Sequence, residues 1–218
     1  QTKRLTETTT TVRQIGRLPH DYEDKHTFIK VKALAKGLYG CEASYVNKCA
    51  LRIFRSAIVD AAGPSSSLRS PALVFETSGS KTDLDPQIEI MVRRAMGARR
   101  ASVHVENFII RAAKLHDYYK GQNMGGTKTE LEDIKALKPH APAGDKGRDN
   151  KLSQCKPHGP VGYLITSTCE YGMAMDNQLT IYQHQELPLP IMLLPHQQIK
   201  PLVSKAAARG RMLHAQET

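Results

Sequence analysis

The stretch from Val46 to Ala62, VNKCALRIFRSAIVDAA, carries the strongest structural signal in the sequence. Its apolar residues recur three and four positions apart, which is the repeat of one face of an α-helix. The apolar face comprises Ala50, Ile53, Phe54, Ala57, Ile58 and Ala61. We expect this face to be buried and Arg52 and Arg55 to project away from it. Gly63-Pro64 ends the helix, as a glycine followed by a proline commonly does.

Helical patterns also flank this stretch. Residues 22–38 carry apolar side chains at spacings that mostly suit one face, and with residues 3–16 they predict two short N-terminal helices. The apolar side chains of the second helix are Phe28, Ile29, Val31, Ala33, Leu34 and Leu38. Ser70-Pro71 and Asp85-Pro86 each place an N-cap residue before a proline at the first helical position. A further helix is expected over residues 105–119.

The second half of the chain is more varied. Residues 121–126 and 138–160 are rich in Gly, Pro, Lys, Asp and Asn, which is typical of turns and linkers, and a short charged helix is expected between them at residues 129–137. Gly159-Pro160 opens an apolar segment, residues 179–182 alternate like a short strand, and a last helix is expected after Pro195. The proline-rich residues 186–195 should be extended.

These patterns predict a mainly α fold, with a helical bundle-like N-terminal part and a small α+β C-terminal part. We expect three regions, namely a basic helical domain at residues 1–120, a linker with a short helix at 121–158, and the α+β region at 159–218. We find no internal repeat.

Charge is the clearest functional signal. The 218 residues contain 31 Lys and Arg against 21 Asp and Glu, a net charge of +10. Residues 1–100 hold 17 of those basic and 10 of those acidic side chains, so the positive charge is concentrated there. Such a balance favours a phosphate-bearing partner.

The expected location is intracellular, in the nucleus or an organelle. No window approaches the about 18 apolar residues of a membrane helix, and the polar start is unlike a signal peptide. The four cysteines form neither a disulfide framework nor a paired-thiol motif, which favours a reducing compartment. Because position 1 is not Met, we expect a fragment or processed product that has lost any targeting segment.

Enzyme signatures are weak. Cys155, His158, Cys169 and His184 lie in one region, but they do not form the two close pairs of a structural zinc site. The sequence has no Gly-x-Ser-x-Gly motif and no Walker phosphate loop. The acidic pairs Asp83 with Asp85 and Glu132 with Asp133 suit a helix cap and a solvated helix face. We therefore assign no catalytic residue, no metal and no cofactor.

Basic side chains on predicted helices are the candidate site. Arg93-Arg94 and Arg99-Arg100 are about one and a half turns apart, so a continuous helix would place several guanidinium groups along one side. The predicted phosphate-binding residues are Lys30, Lys32, Lys36, Arg52, Arg55, Arg93, Arg94, Arg99 and Arg100. For any single Arg the alternative is a solvated helix end that aids solubility. Stacking residues are sparse, so base readout of single strands is not expected.

Several short stretches of the sequence, called phrases below, resemble one particular protein family. They are Gly16-Arg17-Leu18-Pro19, residues 35–42 (AKGLYGCE), 69–75 (RSPALVF), 83–94, 159–164 (GPVGYL) and 179–190. These phrases resemble the region just after the palm of non-LTR retrotransposon reverse transcriptases, particularly those abundant in dinoflagellate genomes. The likeness touches most of the chain and is least over residues 121–155. None of the phrases is a catalytic signature.

The resemblance implies a thumb-like helical part that grips a template and primer duplex, either RNA or an RNA/DNA hybrid. The paired aspartates that hold the polymerase metals have no counterpart here, so this segment alone should not polymerise DNA. The alternative is a structural or accessory subunit of an organellar ribosome or another large assembly, stabilised by RNA or by protein partners.

Overall fold

The computed structural model describes residues 1–63, 70–71, 74–75, 84–104, 107–108, 110–114, 159–171, 173–183 and 187–216. The helices in this part of the chain are α1 (Thr2–Gly16), α2 (Tyr22–Phe28), a π-helical turn (Ile29–Leu34), α3 (Ala35–Gly37), α4 (Lys48–Ala62), α5 (Pro86–His104), α6 (Gly159–Glu170) and α7 (His196–Gln216). Three short strands, β1 (Ala174–Met175), β2 (Thr180–Tyr182) and β3 (Leu189–Pro190), form one antiparallel sheet in the order β1-β2-β3. The mainly helical class is as predicted.

The N-terminal helices form a three-helix unit. Helices α2 and α3 and the π-helical turn are continuous and run antiparallel to α1, because the Gln1 side chain donates to Gly37 O at 2.8 Å and Lys25 donates to Gly16 O at 3.1 Å. Helix α4 packs along α1. At Gly16 the two helices are so close that a Cβ would lie 3.1 Å from Ala61 Cα. Side chains of this unit form one hydrophobic cluster, which extends to Val74, Phe75, Leu84 and Ile90.

Helix α1 contains a run of threonines, which ordinarily disfavour a helix interior. Here Thr6 and Thr8 donate their hydroxyls to the carbonyl oxygens four residues earlier, and Thr9 donates to Leu5 O at 2.8 Å. These hydrogen bonds let Thr8 and Thr9 be buried within the unit.

Helix α4 shows where a sequence pattern predicts burial well and where it does not. Phe54, Ala57, Ile58 and Ala61 are buried as predicted, but Ile53 is 47% exposed. Leu51 belongs to the buried stripe instead. Ile53 comes two residues later, about 200° around the helix, and so faces away.

A second hydrophobic cluster involves α5, α6, α7 and the sheet. Helix α5 begins at Pro86 as predicted, with the Asp85 carboxylate accepting from Gln87 N at 3.0 Å. Residues of α5 such as Met91, Ala95 and Ala98 lie in this second cluster, whereas Ile90 lies in the first. Helix α5 therefore joins the two parts of the described core, and it packs mainly against α6 and α7.

Three elements predicted near the C-terminus can be compared with the structure. The predicted strand at residues 179–182 is β2, and the predicted last helix is α7, which follows Pro195 directly. The proline-rich segment forms β3 and then a turn, in which Leu193 N donates to Pro190 O at 2.9 Å.

The turn between β1 and β2 is organised by Asp176. Its carboxylate accepts from the backbone N–H groups of Gln178 and Thr180 and from the hydroxyl of Tyr182 at 2.9 Å. Partial burial alone would raise the pKa of Asp176, but these hydrogen bonds hold that pKa below its usual value. The ionised carboxylate thus stabilises the hairpin.

Some of the predicted elements lie wholly or partly outside the described residues. The predicted linker at 121–158 and its short helix lie outside the described residues, so the domain boundaries stay a prediction. Within the predicted helix at 105–119, residues 110–114 are helical. No helix in the described part of the chain combines the length and apolarity needed to cross a lipid bilayer.

Candidate nucleic-acid interface

Arg94 lies in the interior of the protein, although the sequence predicted that it contacts phosphate. The residue is 5% exposed, and its guanidinium lies 5.0 Å from the ring centroid of Tyr163. It donates to Ser167 Oγ at 2.6 Å, to Tyr163 O at 3.1 Å and to Cys41 O at 3.3 Å. These contacts tie α5 to α6 and to the segment before α4. We therefore leave Arg94 out of the candidate surface.

Two other arginines of α5 also bind groups of the protein itself. Arg93 Nε donates to Glu89 Oε1 at 2.8 Å, one turn earlier on the same helix. Arg99 Nη1 donates to Ile191 O at 2.9 Å and to Met192 O at 2.8 Å, and so holds the turn after β3. Both side chains are partly buried, whereas Arg100 is exposed. The four arginines of α5 thus have different surroundings and do not form one row toward solvent.

Arg55 forms a buried ion pair. Its Nη2 and Nε lie 3.1 Å and 3.3 Å from the two carboxylate oxygens of Asp85, which is fully buried. The same guanidinium lies 5.2 Å from the ring centroid of Phe75. The pair joins α4 to the start of α5, and a phosphate would have to compete with Asp85 for it. Arg55 is thus better explained as structural.

The predicted lysines behave differently from these arginines. Lys30, Lys32 and Lys36 are all exposed on the continuous helical segment formed by α2, the π-helical turn and α3. Lys32 and Lys36, four residues apart, project from the same side of this segment, whereas Lys30, two residues from Lys32, projects from nearly the opposite side. We call the exposed surface that carries these three residues the lysine face. Arg52 is also exposed, on α4. Of the nine predicted residues, these three lysines, Arg52 and Arg100 are the ones that the structure presents to solvent.

The π-helical turn explains how the lysines stay outside. In a regular α-helix Lys36 would lie only about 20° around the axis from Ile29, seven residues earlier. Ile29 is fully buried, yet the Lys36 side chain is 57% exposed. The wider π-helical turn rotates the following residues, so that Ile29, Ala33 and Leu34 share the buried side with Gly37. Residues 29, 33 and 37 are spaced by four, but an ordinary α-helix uses that spacing too, so the spacing alone does not distinguish the π-helical turn.

Few acidic residues accompany the three lysines of the lysine face. Between Asp24 and Glu42 the sequence contains four lysines and no Asp or Glu. Lys36 Nζ lies 3.7 Å from Glu7 Oε2 on α1, and both side chains are about half exposed, so this pair contributes little. Lys32 makes no ion pair with any residue that the structure describes.

Apolar and aromatic side chains accompany the lysines. Phe28 and Val31, predicted to be buried, are 40% and 68% exposed, and Tyr39 just beyond α3 is 69% exposed. The Arg4 guanidinium lies 5.1 Å from the Tyr39 ring centroid and donates to Tyr39 O at 2.8 Å. Charge together with exposed rings is a combination that nucleic-acid-binding surfaces use. The sequence pattern places Phe28 on the apolar helix face and gives Tyr39 no role, so neither ring was predicted to be part of the site.

The other reactive groups among the described residues form no site. Burial raises the pKa of the Cys41 thiol to about 12, so the thiol stays protonated at neutral pH and serves as a packing group. Among the described residues there is no cluster of three or more His, Cys, Asp or Glu that could hold a metal. Of the four residues weighed for zinc, Cys155, His158 and His184 lie outside the described part of the chain, and Cys169 lies in α6.

Comparisons of the chain with models of known protein families, with curated proteins and with solved structures found no match.

Proposed function

We propose that this chain is a noncatalytic nucleic-acid-binding protein that contacts the phosphates of RNA or an RNA/DNA duplex. The observation that carries the proposal is the lysine face, in which Lys30, Lys32 and Lys36 are exposed on one helical segment without intervening acids. Lysine is a flexible point charge that meets phosphate oxygens without demanding a particular base sequence. The protein would therefore bind many sequences with similar affinity.

The other features of the chain agree with this role. The net charge of +10 attracts polyanions over distances longer than a contact. The resemblance to the post-palm part of a retrotransposon reverse transcriptase would make the three-helix unit a thumb-like grip on a template and primer. A nucleic-acid partner would also agree with the expected location inside the cell, in the nucleus or an organelle.

Salt dependence tests the proposal directly. With Lys30, Lys32, Lys36 and Arg52 on phosphates, the logarithm of the binding constant should fall with the logarithm of salt concentration at a slope of about −3 to −4. That slope means a loss of about a hundredfold between about 50 mM and about 200 mM salt. Filter binding with an RNA duplex and an RNA/DNA hybrid of two unrelated sequences measures it. A shallow slope, or strong preference for one sequence, would contradict the proposal.

A structural subunit of a larger assembly is the second candidate. A protein partner would cover Leu187 and Leu193, which lie on either side of β3 and are 84% and 82% exposed. A chain of this kind would bind free duplex weakly at every salt concentration. The same titration therefore distinguishes the two candidates.

A further inference from the structure

Tyr39 presents an aromatic ring to solvent just beyond the lysine face. It follows α3 directly after Leu38 and is exposed, although most of a tyrosine side chain is apolar. The next residue, Gly40, has a φ of +76°, in the left-handed region that favours glycine. Apart from its neighbours in the chain, no described residue comes within 4 Å of the position that a Cβ would take there. Open space therefore lies next to Tyr39 at this end of the helical segment.

Arg4 holds the Tyr39 ring from one side. Its guanidinium lies 5.1 Å from the ring centroid, and its Nη1 donates to Tyr39 O at 2.8 Å. Tyr39 is nevertheless 69% exposed, so the opposite face of the ring is open to solvent. Among the residues that the structure describes, no second ring or cation lies against it. A ring that is already held does not have to be ordered when a ligand stacks on it, which favours affinity.

Lys36 lies beside this ring. Arg4 and Glu7 are three residues apart on α1 and so are neighbours on its surface. Arg4 contacts the ring, and Glu7 Oε2 lies 3.7 Å from Lys36 Nζ, so the ring and the ammonium group occupy adjacent positions. Glu7 offsets part of the charge of Lys36. Lys32, about one turn earlier on the same side, makes no ion pair with any described residue and adds a second positive charge.

A planar ring next to positive charge matches the two parts of a nucleotide. A base can stack on the open face of Tyr39 while the phosphates of the same strand lie near Lys32 and Lys36. Bases inside a duplex are paired and stacked on one another, so only an unpaired base can reach the ring. Every base has a π face, so this stacking selects unpaired nucleotides without selecting a sequence.

We propose that the open face of Tyr39 binds an unpaired base of an RNA strand whose phosphates lie on Lys32 and Lys36. The protein then prefers a duplex with a single-stranded extension to a blunt duplex. This inference rests on the proposed nucleic-acid binding and adds to it a contact that recognises unpaired nucleotides.

Three probes that share one RNA duplex test the contact. The first is blunt, the second carries a short single-stranded extension, and the third carries an extension of the same length without bases. Filter binding of the full chain at low salt measures each affinity. We expect the second probe to bind about tenfold more tightly than the third, because the two differ only in the bases. Equal affinities for these two probes would overturn the stacking contact.

Variants at exposed tyrosines test the position. Tyr39→Leu should reduce the preference for the second probe over the third to less than about twofold and leave the blunt duplex unchanged, whereas Tyr39→Phe keeps a ring and should retain the preference. Tyr22→Leu, at an exposed tyrosine of α2, is the matched control and should also retain it. Arg4 donates to the backbone of residue 39, so that hydrogen bond remains available in both Tyr39 variants, and circular dichroism checks folding. If Tyr39→Leu keeps the preference, or Tyr22→Leu loses it as fully, the base does not lie on Tyr39 and the proposal fails.

The blunt duplex separates a failure of this contact from a failure of the proposed function. Steep salt dependence for the blunt duplex, with no difference between the second and third probes, would remove the Tyr39 contact alone. Weak binding of all three probes at every salt concentration would remove the proposed function and this inference with it.

Discussion

Replacing Asp85 by Ala should cost about 4 kcal/mol of the free energy of unfolding, which is a large share of the stability of an ordinary domain. The fully buried carboxylate of Asp85 accepts from Arg55 and from Gln87 N. Its removal leaves the guanidinium of Arg55, only 18% exposed, without this counter-charge and takes the cap from α5. Urea denaturation followed by circular dichroism measures the loss.

A matched variant separates the cap from the ion pair. Asp21 also caps a helix, accepting from Asp24 N at 2.9 Å, but it is exposed and has no such buried partner. Asp21→Ala should therefore cost only about 1 kcal/mol. Adding Arg55→Met to Asp85→Ala should recover part of the stability, because the uncompensated charge is then removed. Equal losses for the two Asp variants would show that the buried pair contributes nothing beyond capping.

Replacing Arg94 by Met should cost about 3 kcal/mol or more. The side chain keeps its length, but the carbonyl oxygens of Cys41 and Tyr163 lose a donor in a buried place. Arg100→Met on the same helix is the control, and it should stay within about 0.5 kcal/mol because Arg100 is exposed. Urea denaturation compares the two variants. A cost below about 1 kcal/mol for Arg94→Met would mean that its hydrogen bonds are easily replaced by water.

The sequence predicts the helices well because their signals are local. Periodic apolar residues and an N-cap before proline are enough to locate α4 and to begin α5 at Pro86. The pleat-like alternation at residues 179–182 likewise locates β2. These signals depend only on neighbours along the chain, so they need no knowledge of tertiary contacts.

The burial and the hydrogen-bond partners of each arginine could not be predicted in the same way. Arg93, Arg94, Arg99 and Arg100 look alike in sequence, but their partners come from as far away as Met192, 93 residues along the chain from Arg99. Burial of a guanidinium depends on carbonyl oxygens that only the tertiary fold brings near. The π-helical turn could not be predicted either, because its spacing of four also occurs in an ordinary α-helix.

The proposal locates the phosphate-binding charge on the lysine face, and a comparison of two charge-matched variants tests this location. The first variant, Lys30→Gln with Lys32→Gln and Lys36→Gln, removes the lysine face. The second, Arg111→Gln with Lys200→Gln and Lys205→Gln, removes the same charge from exposed positions on other helical segments. Filter binding of the RNA duplex across a salt series gives the affinity and the slope for each.

The first variant should lose about tenfold or more in affinity at low salt, and its slope should become shallower by about 3, since three phosphate contacts are gone. The second should keep the slope of the unaltered chain. Equal losses in both variants would mean that net charge alone attracts the nucleic acid, and unchanged binding in the first would contradict the lysine face as the interface.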